Sequence, residues 1–393
     1  MIKNLASNLV LEEVLNPEQL RAFLLFPFKL YKGTAWVPPL INEQERFFSS
    51  ANPFWRHAEK VLYLAYNDKH QVAGRIAGFV NQRYLSFSNK KTGHFGFFEC
   101  KNNPLVALLL VDAVKHWLRK QGIRHIIGPL DGSIDHECGF LMNNFASPPK
   151  PNIPYSLPYY PDLMKTLGFK KAKDLYAYTI DVQKAVKQIV QHSPSSQSHS
   201  EHGKHLDFIL RMANKKSVKT EAEIIRTIFN EAMGSIHHYQ FAPVSRAVFF
   251  SETLDLLELI DPSMVLIAEK NAEKKHTTHN PHKPVGFVVA YPNFNKVTKY
   301  FGGKLGWWQK LLFVLCSPAI REARLSLICI LPSSAGCGIG SALMRQLIET
   351  LHRKGYKELE YSWVLEDNIA SQKLAERFGG KVYKTYRLFE QHF

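Results

Sequence analysis

The stretch that decides the fold lies near the C-terminus. An apolar strand, Leu325-Ser-Leu-Ile-Cys-Ile-Leu331, runs into a glycine turn, Gly336-Cys-Gly-Ile-Gly340, and then a helix, Ser341-Ala-Leu-Met-Arg-Gln-Leu-Ile-Glu-Thr-Leu351. Glycines let the backbone turn sharply and bring its N–H groups close to a ligand. The helix after the turn opens with unpaired N–H groups and the positive end of its dipole. Strand, turn and helix start together make a site for a diphosphate. The turn is not a Walker loop, which needs Gly-Lys-Ser/Thr. A Rossmann unit would need a further glycine and an acidic residue at the next strand tip.

The residues beyond the turn narrow the choice. Gly355 closes the helix, Lys357–Val364 reads as a strand, and Glu366-Asp-Asn368-Ile-Ala-Ser371 leads into a short helix ending near Phe378-Gly-Gly380. This order resembles the Gcn5-related N-acetyltransferase (GNAT) superfamily over about residues 206–393. The resemblance implies that the turn cradles the pyrophosphate of acyl-coenzyme A, as co-substrate, and that the Asn368-x-x-Ser371 helix touches its pantetheine arm. The cofactor-binding candidates are then Ile330, Leu331, Gly336, Cys337, Gly338, Ile339, Gly340, Ser341, Asn368 and Ser371. Two residues depart from the family pattern. Ala335 stands where Arg or Gln is usual, and Ala375 stands where a tyrosine often protonates the leaving thiolate.

Composition sets the outer bounds. A chain of 393 residues with 45% hydrophobic content supports two or three packed domains. Met1-Ile-Lys-Asn lacks an apolar h-region, so a secretory signal is not expected, and five cysteines without CxxC spacing read as reduced thiols in a cytoplasmic protein. Cys329 reads as core. Cys337 lies in the turn, where a helix N-terminus would lower its pKa, but it reads as a spacer. The net charge of +16 favours polyanionic partners: coenzyme A, an anionic membrane surface or nucleic acid. No nucleic-acid-binding signature accompanies the charge.

The first half repeats the second in order. Residues 105–122 form a helix ending in a basic turn and glycine, as does the helix ending at Gly355. Strand Ile123–Ile127 comes next, then Leu163–Phe169 parallels Leu374–Gly380. Each runs into a tyrosine-rich strand, Leu175–Ile180 and Val382–Leu388. Upstream, Val61–Tyr66 with Gln71–Val80 matches Met264–Glu269 with Pro284–Tyr291. Helix Pro17–Tyr31 matches Thr220–Met233, which opens on the capping-box pattern Thr220-x-x-Glu223. We expect an α/β (α+β) fold of tandem GNAT-like domains, each a mixed, mostly antiparallel sheet flanked by helices. The expected boundaries are 1–190 for a degenerate domain with Asn102-Asn-Pro104 at the glycine-turn position, 191–205 for a polar linker, and 206–393 for the acyl-coenzyme A domain. The three histidines of Lys270–Lys283 read as a hairpin tip.

Three further segments bear on the acceptor. Gly128–Gly139 gathers Asp131, Asp135, His136 and Glu137 in one loop, where they read as a general base, an amine-binding carboxylate or solvated acids. His136-x-Glu lacks a second ligand pair, so no metal is expected. His237 and His238 are candidate bases or structural histidines. Gly306-Trp-Trp-Gln-Lys-Leu-Leu-Phe-Val-Leu-Cys-Ser-Pro318 is too short to span a bilayer and suits a membrane interface, a long acyl chain or burial against the other half.

Taken whole, the chain resembles a narrower family of bacterial tandem acyltransferase-like proteins. The matching residues include Trp36-Val-Pro-Pro39, Gly74-Arg-Ile-Ala-Gly78, Gly96-Phe-Phe-Glu99, Tyr159-Tyr160 and Lys384-Thr-Tyr-Arg387. Members are linked to sphingolipid assembly as ceramide synthases. That resemblance implies direct acyl transfer from acyl-coenzyme A to an amine such as a sphingoid base. The basic charge and the Trp307-Trp308 segment agree with a cytoplasmic protein peripheral on the inner face of the cytoplasmic membrane. Glu360, Glu366 and Glu137 are the catalytic candidates. The alternatives are an aminoacyl-tRNA-dependent transferase of the same tandem fold and a non-catalytic acyl-coenzyme A or lipid-binding protein.

Overall fold

The computed structural model describes residues 9–191, 208–235, 238–271 and 282–393. His237, the linker beyond Gln191 and residues 272–281 of the histidine-rich loop lie outside the described residues.

The strands are β1 (Val10–Glu13), β2 (Ala58–Tyr66), β3 (Val72–Asn81), β4 (Gly93–Cys100), β5 (His125–Gly128), β6 (Phe140–Leu141) and β7 (Lys170–Asp181) in the first half. The second half contributes β8 (Phe208–Met212), β9 (Val265–Asn271), β10 (His282–Pro292), β11 (Glu322–Ile330), β12 (Glu358–Leu365) and β13 (Lys381–His392). They form one mixed sheet in the order β1-β2-β3-β4-β5-β13-β7-β12-β11-β10-β9-β8, with β6 against β13. Among the described residues only β4–β5 and β11–β12 pair in parallel. The runs β1 to β5 and β8 to β12 repeat the same order, which is the repeat read in the sequence.

The last strand of each half crosses over. β13 pairs with β5, and β7 pairs with β12, while β13 and β7 pair with each other from Lys381↔Thr179 to Glu390↔Lys170. Tyr386, Leu388 and Phe389 of β13 are buried in cores built from both halves. Arg387 grips Asp174 of β7 with a bidentate pair, Nε–Oδ1 2.7 Å and Nη2–Oδ2 2.9 Å. Such planar two-point pairing fixes register as well as charge.

Local signals place the helices. Helix Pro104–Lys120 begins where the Asn103 side chain accepts from Leu105 N at 2.9 Å, and Pro104 fits the first turn. Its Leu110, Val111, Val114 and Leu118 face the sheet and are fully buried, each contributing about 1.5–3 kcal/mol. Helix Ile339–Arg353 buries Leu343, Met344, Leu347, Ile348 and Leu351 in the same way. One expectation fails here. The helix expected at Thr220 begins earlier, at Val218, so Thr220 lies inside its first turn and forms no capping box. Glu223 instead pairs with Arg226 at 2.6 Å, one helical turn away.

Candidate functional site

The glycine turn has the conformation its residues call for. Gly336 and Gly338 hold φ of +76° and +80°, a region costly for side chains with Cβ. Gly338 ends the turn and helix Ile339–Arg353 starts immediately. Among the described residues, the N–H groups of Gly336 to Ser341 have no hydrogen-bond acceptor. Two cations stand beside them. Arg377 donates to Ser341 Oγ at 3.0 Å, and Lys270 Nζ is 3.9 Å from Cys337 Sγ. They supply positive charge at a turn where Ala335 offers none. Free N–H groups, a helix start and two cations fit a diphosphate. Ile330 and Leu331 lead from β11 into the turn. Asn368 caps the helix Ile369–Arg377 by accepting from Ser371 N at 3.1 Å.

Behind the turn the sheet opens. β11 and β12 pair from Glu322↔Glu358 to Leu325↔Tyr361 and then part. Ser326 bulges out of the β10–β11 ladder, since Val289 pairs with Leu327 and Ala290 with Leu325. A cavity of about 1400 Å³ lies at this opening, lined by Arg324, Ser326 and Leu327 of β11 and by Trp363 and Leu365 of β12. From Leu327 to the end of the strand β11 spans roughly 10 Å at ~3.3 Å per residue, and the turn lies beyond. The cavity exceeds the usual ligand-pocket range of about 300–1,000 Å³. Its opposite wall comes from the first half: Trp36, Pro38, Phe97, Phe98, Glu99, Asp131 and Glu137.

The equivalent opening in the first half is filled. β4 and β5 pair only at Gly93↔Ile126 and His94↔Ile127. Beyond them, Leu130 N donates to Phe95 O at 2.7 Å and Phe97 N donates to Asp131 Oδ1 at 2.6 Å. A Cβ on Gly96 would stand 2.1 Å from the Leu130 carbonyl oxygen. The Gly128–Gly139 insertion therefore occupies this cleft with its own backbone and with the Asp131 carboxylate.

The three catalytic candidates separate clearly. Glu137 faces the cavity, and its carboxylate has no hydrogen-bond or ion-pair partner among the described residues. Burial, reinforced by the nearby Asp131 and opposed by Arg324, pushes its pKa up to about 8. Glu360 is sealed off: it is fully buried, and both Ser362 Oγ (2.6 Å) and Tyr383 Oη donate to it. Glu366 is spent on Lys171 at 2.5 Å and on the N–H of Asp174 at 3.2 Å. Neither Glu360 nor Glu366 lines the cavity. Alternation along β12 sends Glu360 inward, while the half-buried Trp363 and the buried Leu365 reach the cavity wall.

Sequence reading missed a second carboxylate. Glu99 lies on the cavity wall, where Tyr31 Oη and Tyr160 Oη donate to it at 2.6 and 2.7 Å and Arg75 stands at 3.8 Å. Burial, partly offset by Arg75, pushes it up to about 7. The available signal was a carboxylate inside the strand Gly93–Cys100, which is otherwise glycine, phenylalanine and cysteine apart from His94. Asp131 is raised to about 6 by burial, against the Phe97 N–H and Arg75. His238 also lines the cavity, with a pKa lowered by burial.

A model of the acetyltransferase (GNAT) family matches residues 230–380. Protein YghO of Escherichia coli (strain K12) is 31% identical over 391 residues, covering 96% of this chain and 94% of that protein. A Caulobacter vibrioides (strain NA1000 / CB15N) protein named bacterial ceramide synthase is 30% identical over 387 residues, covering 96% of each. The chain belongs to the GNAT acetyltransferase family. Solved structures extend the likeness of fold to the whole length of this GNAT protein. A tandem GNAT protein from the clavulanic acid biosynthesis pathway superposes with a TM-score of 0.52 at 11% identity, covering 98% of both chains. A GCN5-related N-acetyltransferase from Sphaerobacter thermophilus gives 0.50 at 13% identity, covering 98% and 96%. The tandem GNAT arrangement and the mixed, mostly antiparallel sheet are therefore those expected from the sequence. Family and fold make this GNAT protein an acyltransferase, and its relatives support transfer to nitrogen. No helix among its described residues is long and apolar enough to cross a membrane.

Proposed function

We propose that this protein transfers a long-chain acyl group from acyl-coenzyme A to a lipid amine of the sphingoid-base class, with Glu137 as general base. The observation that carries the proposal is the shared cavity. It connects the opening beside β11, which leads to the glycine turn, to the Glu137 carboxylate of the other half, which has no partner among the described residues. The relative named a ceramide synthase supports the acceptor class.

In this reading the diphosphate lies on the N–H groups of Gly336 to Ser341, beside Lys270 and Arg377. The pantetheine arm runs along β11 into the cavity. The edge of β11 beyond Leu325 has no strand partner on its β12 side and offers N–H groups to the thioester carbonyl. The neutral amine attacks the carbonyl carbon, the C–S bond breaks, and an amide forms. Glu137 takes the proton lost from nitrogen. With a pKa near 8 its proton affinity is close to that of a thiol, so the same carboxyl can return the proton to the thiolate. That closes the proton balance without the tyrosine that Ala375 replaces; Ala375 itself is fully buried. Apolar walls favour long chains, since each methylene taken out of water contributes about 0.8 kcal/mol.

Ala375 is also the observation that favours a second reading, a binding module without turnover. Mass-spectrometric assay of purified protein with acetyl-, medium- and long-chain acyl-coenzyme A, each offered sphinganine or a small polyamine, separates the two. N-acylated sphinganine formed best with long chains supports the transferase. Tight acyl-coenzyme A binding with no product from any pair supports the binding module, and absence of binding overturns both.

A further inference from the structure

Helix Trp307–Cys316 has no buried residue. Trp307 is 77% exposed, Trp308 58%, Val314 66% and Leu315 68%, with Leu311 and Tyr300 also open. Six large apolar side chains on one short segment are more than scattered surface residues explain. Only Leu312, Phe313 and Cys316 turn inward, against Val297, Phe301 and Ile320. From Asn293 to Arg321 the chain holds Lys296, Lys299, Lys304, Lys310 and Arg321 and not one Asp or Glu. Lys299, Lys304 and Lys310 are exposed and make no ion pair among the described residues. The same helix reaches the large cavity, whose wall includes Lys310, Phe313 and Val314, with Leu305 just before the helix.

We infer that this face docks on an anionic bilayer surface, seating Trp307, Trp308, Leu311 and Leu315 at the headgroup level with the lysines around them. Tryptophan bodies suit the interface, where one side is apolar and the other wet. Clustered basic residues near an anionic leaflet each strengthen partitioning by roughly fivefold. Continuity with the cavity gives the surface a purpose. A long-chain amine or acyl chain would pass from the bilayer to the cavity along Phe313 and Val314, without its alkyl part entering water. The inference deepens the lipid-amine reading and rests on it for that purpose, whereas the binding itself is measured without turnover.

The test is flotation of the full-length protein with vesicles of pure phosphatidylcholine and of phosphatidylcholine with 30 mol% phosphatidylglycerol (about one anionic lipid in three, enough to set a negative surface potential). Binding is expected to the anionic vesicles, to weaken with salt, and to fall at least tenfold in the double variant Trp307→Ser, Trp308→Ser. Neither tryptophan lines the cavity. The variant should therefore keep its melting temperature and its turnover of a short acyl-coenzyme A with detergent-dispersed sphinganine. Equal binding to both vesicle types overturns the anionic-surface assignment. No vesicle binding overturns the docking itself. So does a concentration-dependent dimer that the double variant abolishes, which would assign the face to a second copy of the chain. N-acylsphinganine formed by a protein that does not float would leave the proposed function standing and remove only the docking face. Flotation without any N-acyl product would do the reverse.

Discussion

His136 Nε2 lies 3.0 Å from Glu252 Oε1, closing the wall of the large cavity across the two halves of the chain. His136 belongs to the insertion of the first half and Glu252 to helix Arg246–Leu259 of the second. Burial alone would lower the histidine's pKa, but Glu252, Asp135 and Asp131 outweigh it and hold it above the ordinary value. The charged pair is complete below the unfolded histidine pKa and is lost as pH rises through the raised folded value. Glu252→Gln should cost about 1–2 kcal/mol at pH 6, and less at pH 9. It should also raise KM for the acceptor more than it changes kcat. Chemical denaturation at the two pH values checks the first part, and initial-rate kinetics the second.

Glu137 carries the sharpest chemical prediction. Glu137→Gln should lower kcat by about 10²–10⁴-fold, the range for a lost general base, while acyl-coenzyme A binding stays intact. The wild-type rate should climb with pH toward the pKa near 8, and the variant should not share that slope. Stability moves the opposite way. A carboxyl whose folded pKa is raised holds its proton more tightly when folded, so its contribution is full below the unfolded value and is lost as pH rises toward 8. Melting temperature against pH from 5 to 9 should therefore fall more steeply for wild type than for Glu137→Gln.

At the glycine turn, Lys270→Ala and Arg377→Ala should each raise KM for acyl-coenzyme A about three- to tenfold with little change in kcat. Salt should reduce the difference from wild type, because exposed charges are screened within about 8–10 Å. Gly338→Ala meets open space but must hold φ near +80°. A left-handed backbone costs a residue with Cβ about 1–2 kcal/mol, so stability should drop by that amount. Isothermal titration with coenzyme A distinguishes these outcomes from a turn that does not touch the diphosphate.

The exchanged strands predict shared stability. Phe389 of β13 is fully buried and packs in the core of the first half, although it lies at the C-terminus. Phe389→Ala should destabilise by about 3–5 kcal/mol. Unfolding should proceed in one transition at the probes of both halves, since β13 and β7 tie them together. Two separated transitions in calorimetry would contradict this.

Much of the fold was legible because its signals are local. The glycine turn at 336–340 and the apolar spacing of residues 343–351 each work within a few residues, and the structure holds both. The capping box at Thr220 failed for a local reason too: the pattern was present, but the helix begins before it, at Val218. The candidate bases were harder to rank. Glu137, Glu360 and Glu366 look alike in sequence. Their fates differ because of distant partners: Tyr383 for Glu360, Lys171 for Glu366, and none among the described residues for Glu137. Glu99 was passed over because Tyr31 and Tyr160 reach it from 68 and 61 residues away.

By itself the sequence determined the tandem GNAT plan, the left-handed glycine turn and the two departures at Ala335 and Ala375, since backbone conformation and hydrophobic period are written residue by residue. Only the tertiary structure decided three things: that the halves trade their last strands, that the Gly128–Gly139 insertion fills one cleft while the other stays open, and that a single large cavity joins them. Those outcomes rest on strand register and on contacts between residues far apart in the chain. Burial then sets proton affinity, so the same glutamate can be an ion-pair partner, a sealed core acid or an open carboxyl near pKa 8 according to what the fold packs around it.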